Sequence, residues 1–427
     1  MRSELFRIPI EVGGVPLFGF GALLLAWLVF AGLWAWRSWS RPDGKAEFAS
    51  LAPVFAVVTA AIIVLPRFAP GGLPIRGYGV MLVIAASSGL AMAIHRARSR
   101  GLDSDAVLSM AFGMFVLGIA GARLFFVIEY WDVAFAGDTF LEGVKKALLF
   151  TEGGLVVYGS LIGGAIAFAW FCFRHRVSAL AMADIIAPSL AIGLAIGRIG
   201  CLLNGCCYGG TCDRPWAVTF PRMSSADRMS PPYADQAAGG EFHGFRWQQD
   251  PRDNRAVVTR VVPGSAAADA GLATGAEIKT IGGETIASGS TLGDAILGRC
   301  LAGLPIELGL ASGERVTVPP APQRQRSLPV HPTQLYSAIN AGLLGWFLWL
   351  YYPRRRRDGE VAALLLTIYP VGRFLLEIIR TDESAFFGTG LSISQNVSLL
   401  LLGLMAPTWA YLLTRPLGPA NRLSAAS

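Results

Sequence analysis

Charged residues are scarce in this sequence of 427 residues: they make up 15%, whereas 53% of the residues are hydrophobic and the mean hydropathy is +0.50. So little charge excludes an ordinary soluble protein, and apolar runs of about 17 to 25 residues predict a protein that crosses a membrane several times. The net charge of +7 does not indicate nucleic-acid binding. The arginines cluster at the ends of apolar runs, where they set topology and meet lipid phosphates.

Cysteine is also rare, with six residues and no regular spacing, which excludes a disulfide framework. No cleavable signal peptide is evident, because the first apolar run is long and further spans follow it.

The apolar runs predict about nine membrane-spanning helices. Basic clusters follow alternate spans, so the positive-inside rule places the N-terminus outside and the C-terminus in the cytoplasm. The cluster at 354–357 is interpreted as a topological anchor for the same reason. The predicted spans are 15–36, 49–66, 78–95, 106–130, 155–173, 182–203, 335–352, 361–379 and 395–413.

Residues 210–328 interrupt the spans with polar, glycine-rich and proline-rich sequence, which predicts a mainly-β soluble domain inserted on the extracytoplasmic side. Within it, residues 256–318 combine short apolar strands with Pro263-Gly264 and Gly282-Gly283 turns and resemble a PDZ domain. PDZ domains bind extended peptides at a sheet edge. The usual glycine-apolar loop is not visible at 250–255, so two interpretations stay open: peptide binding, or a domain that only packs on the membrane body.

Arg198 lies in the stretch that begins at Gly197, directly after the apolar run 182–196. A permanent cation near bilayer depth is costly and indicates a cavity or a partner. Arg76 and Arg123 add cations on other segments. Arginines that converge from several spans predict a phosphate clamp for an anionic lipid, whereas arginines that only anchor helix ends predict no site.

A second polar face lies in the span 361–379, where Arg373, Glu377 and Arg380 have the spacing i, i+4 and i+7. This spacing places the three side chains on one face of a helix. Such a face is either an ion-pair ladder closed on itself or an arginine fork for a phosphate that Glu377 orients.

Other polar residues mark the spans around the insertion. Gly159 and Gly163 have the spacing that permits close helix packing. Tyr158 is either an interfacial aromatic residue or a functional one, and His331 at the start of a span is either structural or directly functional.

Six motifs occur in the order found in the prolipoprotein diacylglyceryl transferase family, which this chain resembles over about 73–209 and 329–413. The motifs are 76–81, 121–125, 153–164, 197–209, 331–336 and 373–382. The resemblance implies an α-helical polytopic enzyme of the bacterial inner membrane with about seven core spans. Members of that family transfer the diacylglyceryl group of phosphatidylglycerol to the lipobox cysteine in a prolipoprotein signal peptide. The reaction forms a thioether and releases glycerol phosphate. The resemblance implies no metal and no cofactor.

The resemblance divides the chain into a membrane core and additions to it. Residues 71–209 and 329–414 form the transferase core, 1–70 are an N-terminal extension with two extra transmembrane helices, 210–328 are the insertion, and 415–427 are a cytoplasmic tail.

The family's site residues carry over to numbered positions. Arg198 and Arg373 are expected to bind the lipid phosphate and stabilise charge on the leaving group. Tyr158 stands where members have histidine or tyrosine and would position the glyceryl oxygen or assist proton removal. The substrate supplies the nucleophilic thiolate. The predicted substrate-binding residues are Tyr78, Arg76, Arg123, Asn204, Gly209, His331, Gln334, Glu377 and Arg380.

The chain departs from the family where asparagine and glutamate are replaced by Cys201 and Cys206. With Cys207 and Cys212, their spacing leaves a disulfide, a soft-metal site and free thiols as alternatives. Two other functions also stay open: a non-catalytic phospholipid-binding or translocating protein with a PDZ-like adaptor, and a thiol redox membrane protein.

Overall fold

The computed structural model describes residues 3–39, 44–131, 140–148, 156–225, 228–249, 255–286, 289–380 and 389–414. The beginning of the 153–164 motif, the end of the 373–382 motif and the predicted tail 415–427 lie outside the described residues.

Long helices form at all the predicted spans. Within the described ranges the α-helices are α1 Ala22–Trp39, α2 Gly44–Phe68, α3 Gly77–Arg98, α4 Ser104–Glu129, α5 Phe140–Leu148, α6 Val157–Arg174, α7 Ala179–Asn204, α8 Pro231–Ala238, α9 Ala266–Asp269, α10 Gly289–Ala302, α11 Thr333–Tyr351, α12 Glu360–Glu377 and α13 Ile393–Thr414.

Six of the described helices are long and apolar enough to cross a membrane: α1, α3, α4, α6, α7 and α13. Three more lie at predicted spans. The described apolar part of α2 is Val54–Phe68, α11 begins with polar residues, and α12 carries Glu360, Arg373 and Glu377. The prediction of a polytopic α-helical membrane protein is confirmed.

Helix α7 is central, because it packs against α3, α11 and α12. It begins after Ser178, whose hydroxyl accepts a hydrogen bond from the backbone N–H of Ala181. It ends at Gly205, whose left-handed backbone (φ 78°) stops the helix without a steric cost. The polar stretch 197–209 therefore begins inside the helix and then turns away from it.

Helices α4 and α6 pack at the distance that only glycine allows. A Cβ atom at Gly159 would collide with the carbonyl of Gly121, and one at Gly163 with the carbonyl of Leu117. The close packing expected from the spacing of Gly159 and Gly163 is confirmed.

A buried ion pair joins α7 to the start of α12 at the opposite end of α7 from Arg198. The carboxylate of Asp184 is fully buried, accepts hydrogen bonds from the backbone N–H groups of Gly359 (2.8 Å) and Ala362 (2.9 Å), and lies 3.1 Å from Arg355. Interpreting the 354–357 cluster only as an anchor is therefore incomplete, since Arg355 is turned inward onto a carboxylate.

The insertion folds around an antiparallel sheet. Its strands are β5 Phe245–Gln249, β6 Ala256–Val261, β7 Glu277–Ile281, β8 Glu284–Thr285, β9 Ile306–Leu310 and β10 Arg315–Val318, in the order β10-β9-β7-β6-β5 with β8 on β7. The sheet and α10 enclose an apolar core. The sheet thus begins before residue 256, the expected start of the PDZ-like region, because β5 pairs with β6 across a connection of six residues.

The N-terminus forms strands that the apolar pattern did not predict. The strands are β1 Glu4–Ile8, β2 Glu11–Val12, β3 Val15–Pro16 and β4 Leu73–Arg76, and β1 pairs with β4 directly before α3. Helix α1 consequently begins at Ala22, later than the predicted position 15.

Candidate active site

The loop after α7 is held in place by the first residues of α11. The Thr333 hydroxyl donates to the carbonyl of Cys207 (2.6 Å), and the Gln334 amide donates to the carbonyl of Cys206 (2.7 Å). Both donors are only 1% exposed. Two buried side chains from a distant segment therefore fix the backbone that follows Arg198.

Arg198 and Arg373 line the same small cavity, although they lie far apart in the sequence. Arg198 is on the last turns of α7 and lies beside the hydroxyl of Tyr369, while Arg373 is one helical turn after Tyr369 on α12. The cavity is lined by Leu194, Arg198, Ser337, Asn340, Ala341, Tyr369, Arg373 and Leu376. The convergence of these two arginines, expected from the resemblance, is present in the fold.

The ion-pair ladder forms, but only Arg373 and Glu377 share a face of α12, because the helix ends at Glu377. Arg373 pairs with Glu377, and Glu377 lies 3.6 Å from Arg380. Arg373 also donates to the hydroxyl of Ser394 on α13 (2.7 Å). Arg380 lies beyond the end of α12, and its backbone pairs with that of Gly209. The ladder thus lies against the loop that follows Arg198.

A larger apolar cavity of about 850 Å³ opens beside Arg198. Its walls are mostly apolar residues of α3, α4 and α7, and its polar end is formed by Tyr78, Arg198, Cys201, Asn204, Cys206 and Cys207. Tyr78 packs on Gly200 of α7, where a side chain would crowd its ring. An apolar cavity with a cationic end suits an amphiphile with an anionic head group.

Three predicted site residues lie away from this centre. Arg76 is exposed at the start of α3. Arg123 donates to the carbonyls of Lys146 (2.6 Å) and Ala147 (2.8 Å) near the end of α5, an ordinary place for a cation. Tyr158 lies on the first turn of α6, next to Val157, which lines the apolar cavity.

Gly209 and His331 meet at the outer edge of the site. A Cβ atom at Gly209 would collide with His331 and Thr333, so this position requires glycine. The Nδ1 atom of His331 lies 3.3 Å from the hydroxyl of Tyr336, which accepts a hydrogen bond from the Trp216 indole (2.6 Å).

Three contributors were not predicted from the sequence: Thr333, Tyr369 and Ser394. Tyr369 precedes Arg373 by four residues and so shares its helix face, a signal that could have identified it. Ser394 comes from α13, and no local pattern connects it with Arg373.

All six cysteines lie in the described residues and have free thiols. The sulfur atoms of Cys201, Cys206 and Cys207 lie within 4.8 Å of one another, whereas Cys212 is outside this group. The fold therefore separates the four clustered cysteines into three neighbours and one buried residue.

The inserted domain contacts the loop that leaves the site. The Tyr208 hydroxyl donates to Asp235 of α8 (2.7 Å). A glycine-aromatic run, 239–245, leads into the edge strand β5, which begins at Phe245, and so precedes residues 250–255. Cavities of about 290 and 440 Å³ lie between this run, β5 and residues 208–211, and Glu241 and Arg246 line both. Burial is the main cause of a raised pKa of Glu241, which Arg246 opposes.

Comparisons with known proteins agree with these observations. The sequence profile described as prolipoprotein diacylglyceryl transferase matches residues 64–243 and 277–411, and the profile described as PDZ domain matches 234–295. A phosphatidylglycerol–prolipoprotein diacylglyceryl transferase of Rhodopirellula baltica is 35% identical over 94% of this chain and 87% of its own length. The similarly named transferase 2 of Clostridium perfringens is 23% identical over 78% of this chain and 88% of its own. A phosphatidylglycerol–prolipoprotein diacylglyceryl transferase of Clostridium tetani is 25% identical over 78% of this chain and 90% of its own length.

Proposed function

The chain belongs to the prolipoprotein diacylglyceryl transferase family, and from that premise we propose that it alkylates the lipobox cysteine of prolipoproteins with the diacylglyceryl group of phosphatidylglycerol. The observation that carries this proposal is that Arg198 and Arg373 line one small cavity and that Arg198 also lines the larger apolar one. The thiolate of the substrate attacks the glyceryl carbon and forms a carbon–sulfur bond. The carbon–oxygen bond to the phosphate breaks, and its electron pair leaves with glycerol phosphate.

The arginines stabilise the leaving group more than the substrate. The phosphodiester of the lipid carries one negative charge, and the released monoester carries up to two at neutral pH. Each guanidinium offers five donors in a planar fork, so Arg373 can hold Glu377 and still donate to a phosphate. Interactions that strengthen as negative charge develops on the leaving group lower the activation free energy of transfer, and do not only tighten the binding of the lipid.

The apolar cavity is proposed to hold acyl chains next to the reacting centre. Its walls come from α3, α4 and α7, and its polar end includes Tyr78 and Asn204. Tyr158, one residue from the cavity wall, is proposed to position the glyceryl oxygen. Gly209, His331, Gln334, Glu377 and Arg380 support the loop and the arginines, and Arg76 and Arg123 are proposed to contact the lipid at the periphery.

We further propose that the site faces outward from the bacterial inner membrane, where exported prolipoproteins arrive. The basic ends of α3, α6 and the α11–α12 connection then lie in the cytoplasm, as the positive-inside rule requires. In this arrangement the insertion 210–328 is extracytoplasmic, and residues 71–209 and 329–414 form the transferase core. The edge strand β5 is a candidate site for an extended substrate peptide.

Complementation tests the proposal directly. The chain is expressed in bacteria depleted of their own transferase, and the mass of a reporter lipoprotein is measured. We expect the mass of a diacylglyceryl group to be added by the wild type and lost with Arg198→Ala, because removing one charge-stabilising donor costs about a hundredfold or more. Arg354→Ala, an exposed arginine at the other end of the molecule, is the matched control. A well-expressed wild type that adds no mass would favour the phospholipid-binding alternative.

A further inference from the structure

The three thiols beside Arg198 lie at the polar end of the apolar cavity. Cys201, Cys206 and Cys207 all line that cavity, and their sulfur atoms lie within 4.8 Å of one another. All three side chains are partly exposed, unlike the buried Cys172, Cys212 and Cys300. Thiols that only fill a core have no need to converge on an open cavity.

The backbone brings them together by an unusual conformation. Cys201 is on the last turn of α7, and Gly205 reverses the chain directly after the helix. Consecutive side chains of an extended strand point to opposite sides. Cys207 instead adopts a left-handed conformation (φ 58°), which residues other than glycine rarely adopt. The hydrogen bonds from Thr333 and Gln334 to the carbonyls of Cys207 and Cys206 hold this arrangement.

We propose that Cys201, Cys206 and Cys207 bind one zinc ion, and that the open fourth position of this ion coordinates and activates the thiol of the lipobox cysteine. Three protein ligands and one open position are the pattern of catalytic zinc sites. With zinc–sulfur bonds of about 2.3 Å, tetrahedral thiolates lie about 3.8 Å apart, so rotamer adjustments of about 1 Å would close the site.

The charges around the thiols favour this complex. Three thiolates and one zinc ion carry a net charge of −1, and Arg198 and Arg380 both interact electrostatically with Cys207. The arginines disfavour a bare cation but stabilise an anionic metal–thiolate complex. Zinc also belongs to the metals that thiolate ligands select.

The metal would activate the substrate thiol where it is bound, without a separate general base. An unperturbed phenol is a weak base at neutral pH. Coordination to zinc deprotonates a thiol, and the proton is released to water. The bound thiolate then forms the carbon–sulfur bond while the phosphate leaves with the electron pair of the carbon–oxygen bond. The thioether is a neutral and weaker ligand, so water replaces it, and zinc remains Zn²⁺ throughout.

The activating role rests on the proposed transferase function, whereas metal binding does not. Binding is tested with the full chain in detergent, stripped with a chelator, reduced and titrated with Co²⁺ as a spectroscopic probe. We expect one Co²⁺ per chain with sulfur-to-metal charge-transfer absorption. This absorption should be lost in Cys201→Ser/Cys206→Ser/Cys207→Ser and kept in the control Cys172→Ser/Cys300→Ser. A second measurement needs no variant: bound Zn²⁺ should protect these three thiols of the wild type from alkylation. A wild type that binds no Co²⁺ and gains no protection overturns the site.

Thiol coordination is tested without turnover. A peptide with a lipobox cysteine should shift the cobalt bands, and the same peptide with serine at that position should leave them unchanged. A band shift together with failed complementation would contradict the transferase function but retain the thiol-binding metal site. Cobalt bands that do not shift when the cysteine peptide is added overturn the activating role.

Discussion

Substituting Arg373 tests the phosphate clamp, because its neighbours make the size of the effect predictable. Arg373→Ala removes one donor from the cavity that Arg198 also lines. Loss of one preorganised donor to developing negative charge lowers kcat about 10²- to 10³-fold, or about 2.7 to 4 kcal/mol. The variant also lowers the positive charge of the site by one unit while Glu377 stays in place.

Glu377 provides the second half of the test. It lies 3.6 Å from Arg380, and two unit charges at that distance attract by about 5 kcal/mol at an effective dielectric constant of about 20. In Arg373→Ala the carboxylate keeps Arg380 as its partner and lies unfavourably close to the phosphate. Adding Glu377→Gln returns the site to its original net charge. We therefore expect the double variant to transfer about tenfold faster than Arg373→Ala, a difference within the usual coupling energy of neighbouring residues.

The assay is the single-turnover rate of diacylglyceryl transfer to a lipobox peptide, normalised to folded protein. Arg354→Ala should transfer at the wild-type rate. The clamp is refuted if Arg373→Ala retains more than about a third of the wild-type rate, an effect too small for a lost charge-stabilising donor. A double variant no faster than Arg373→Ala refutes the electrostatic role of Glu377.

Three further substitutions test the scaffold. Burial lowers the pKa of His243 to about 4. Since an unfolded histidine titrates near 6.5, acidification from pH 6.5 to 4 should destabilise the inserted domain by up to about 3 kcal/mol, with full stability retained above pH 6.5. Hydrogen exchange of β5 and β6, corrected for intrinsic rates, should show this loss in the wild type and not in His243→Leu. Asp184→Asn removes one of the two carboxylates beside the buried Arg355 and leaves Asp358 at 3.2 Å, so the loss of stability should stay below the about 3 to 5 kcal/mol of an unpaired buried charge, measured as a lower thermal midpoint. Gly159→Leu should separate α4 from α6 and lower the thermal midpoint, whereas Gly113→Leu, where a side chain meets open space, should not.

The structural features that depend on local periodicity could be predicted from the sequence. Apolar runs located the long helices, and the spacing of Arg373 and Glu377 predicted their shared face. Asp184 could also have been recognised, because an acidic residue inside an apolar span requires a partner. Its partner, Arg355, could not, since nothing local connects two residues so far apart.

The remaining features depend on pairing between distant segments. Strand β1 forms because β4 is beside it, and β5 pairs with β6 despite the polar residues between them. The convergence of Arg198 with Arg373 requires that α7 pack on α12. Family resemblance supplied that expectation, and residue spacing alone would not have done so.

Charged side chains lie between α7 and the α12 region at two places, and their surroundings explain why one is assigned a scaffold role and the other a catalytic one. Asp184 is fully buried and accepts from Gly359 and Ala362 beside its ion pair with Arg355, so no ligand reaches its oxygens. Arg198 lines both the small cavity and the large apolar one. A charged side chain enclosed by its partners stabilises the packing of two helices. A charged side chain on a cavity wall can bind a ligand that enters the cavity. Because both places lie between α7 and the α12 region, displacing the side chains at the first should also separate Arg198 from Arg373. Asp184→Asn should therefore lower transfer as well as stability, although Asp184 contacts no substrate.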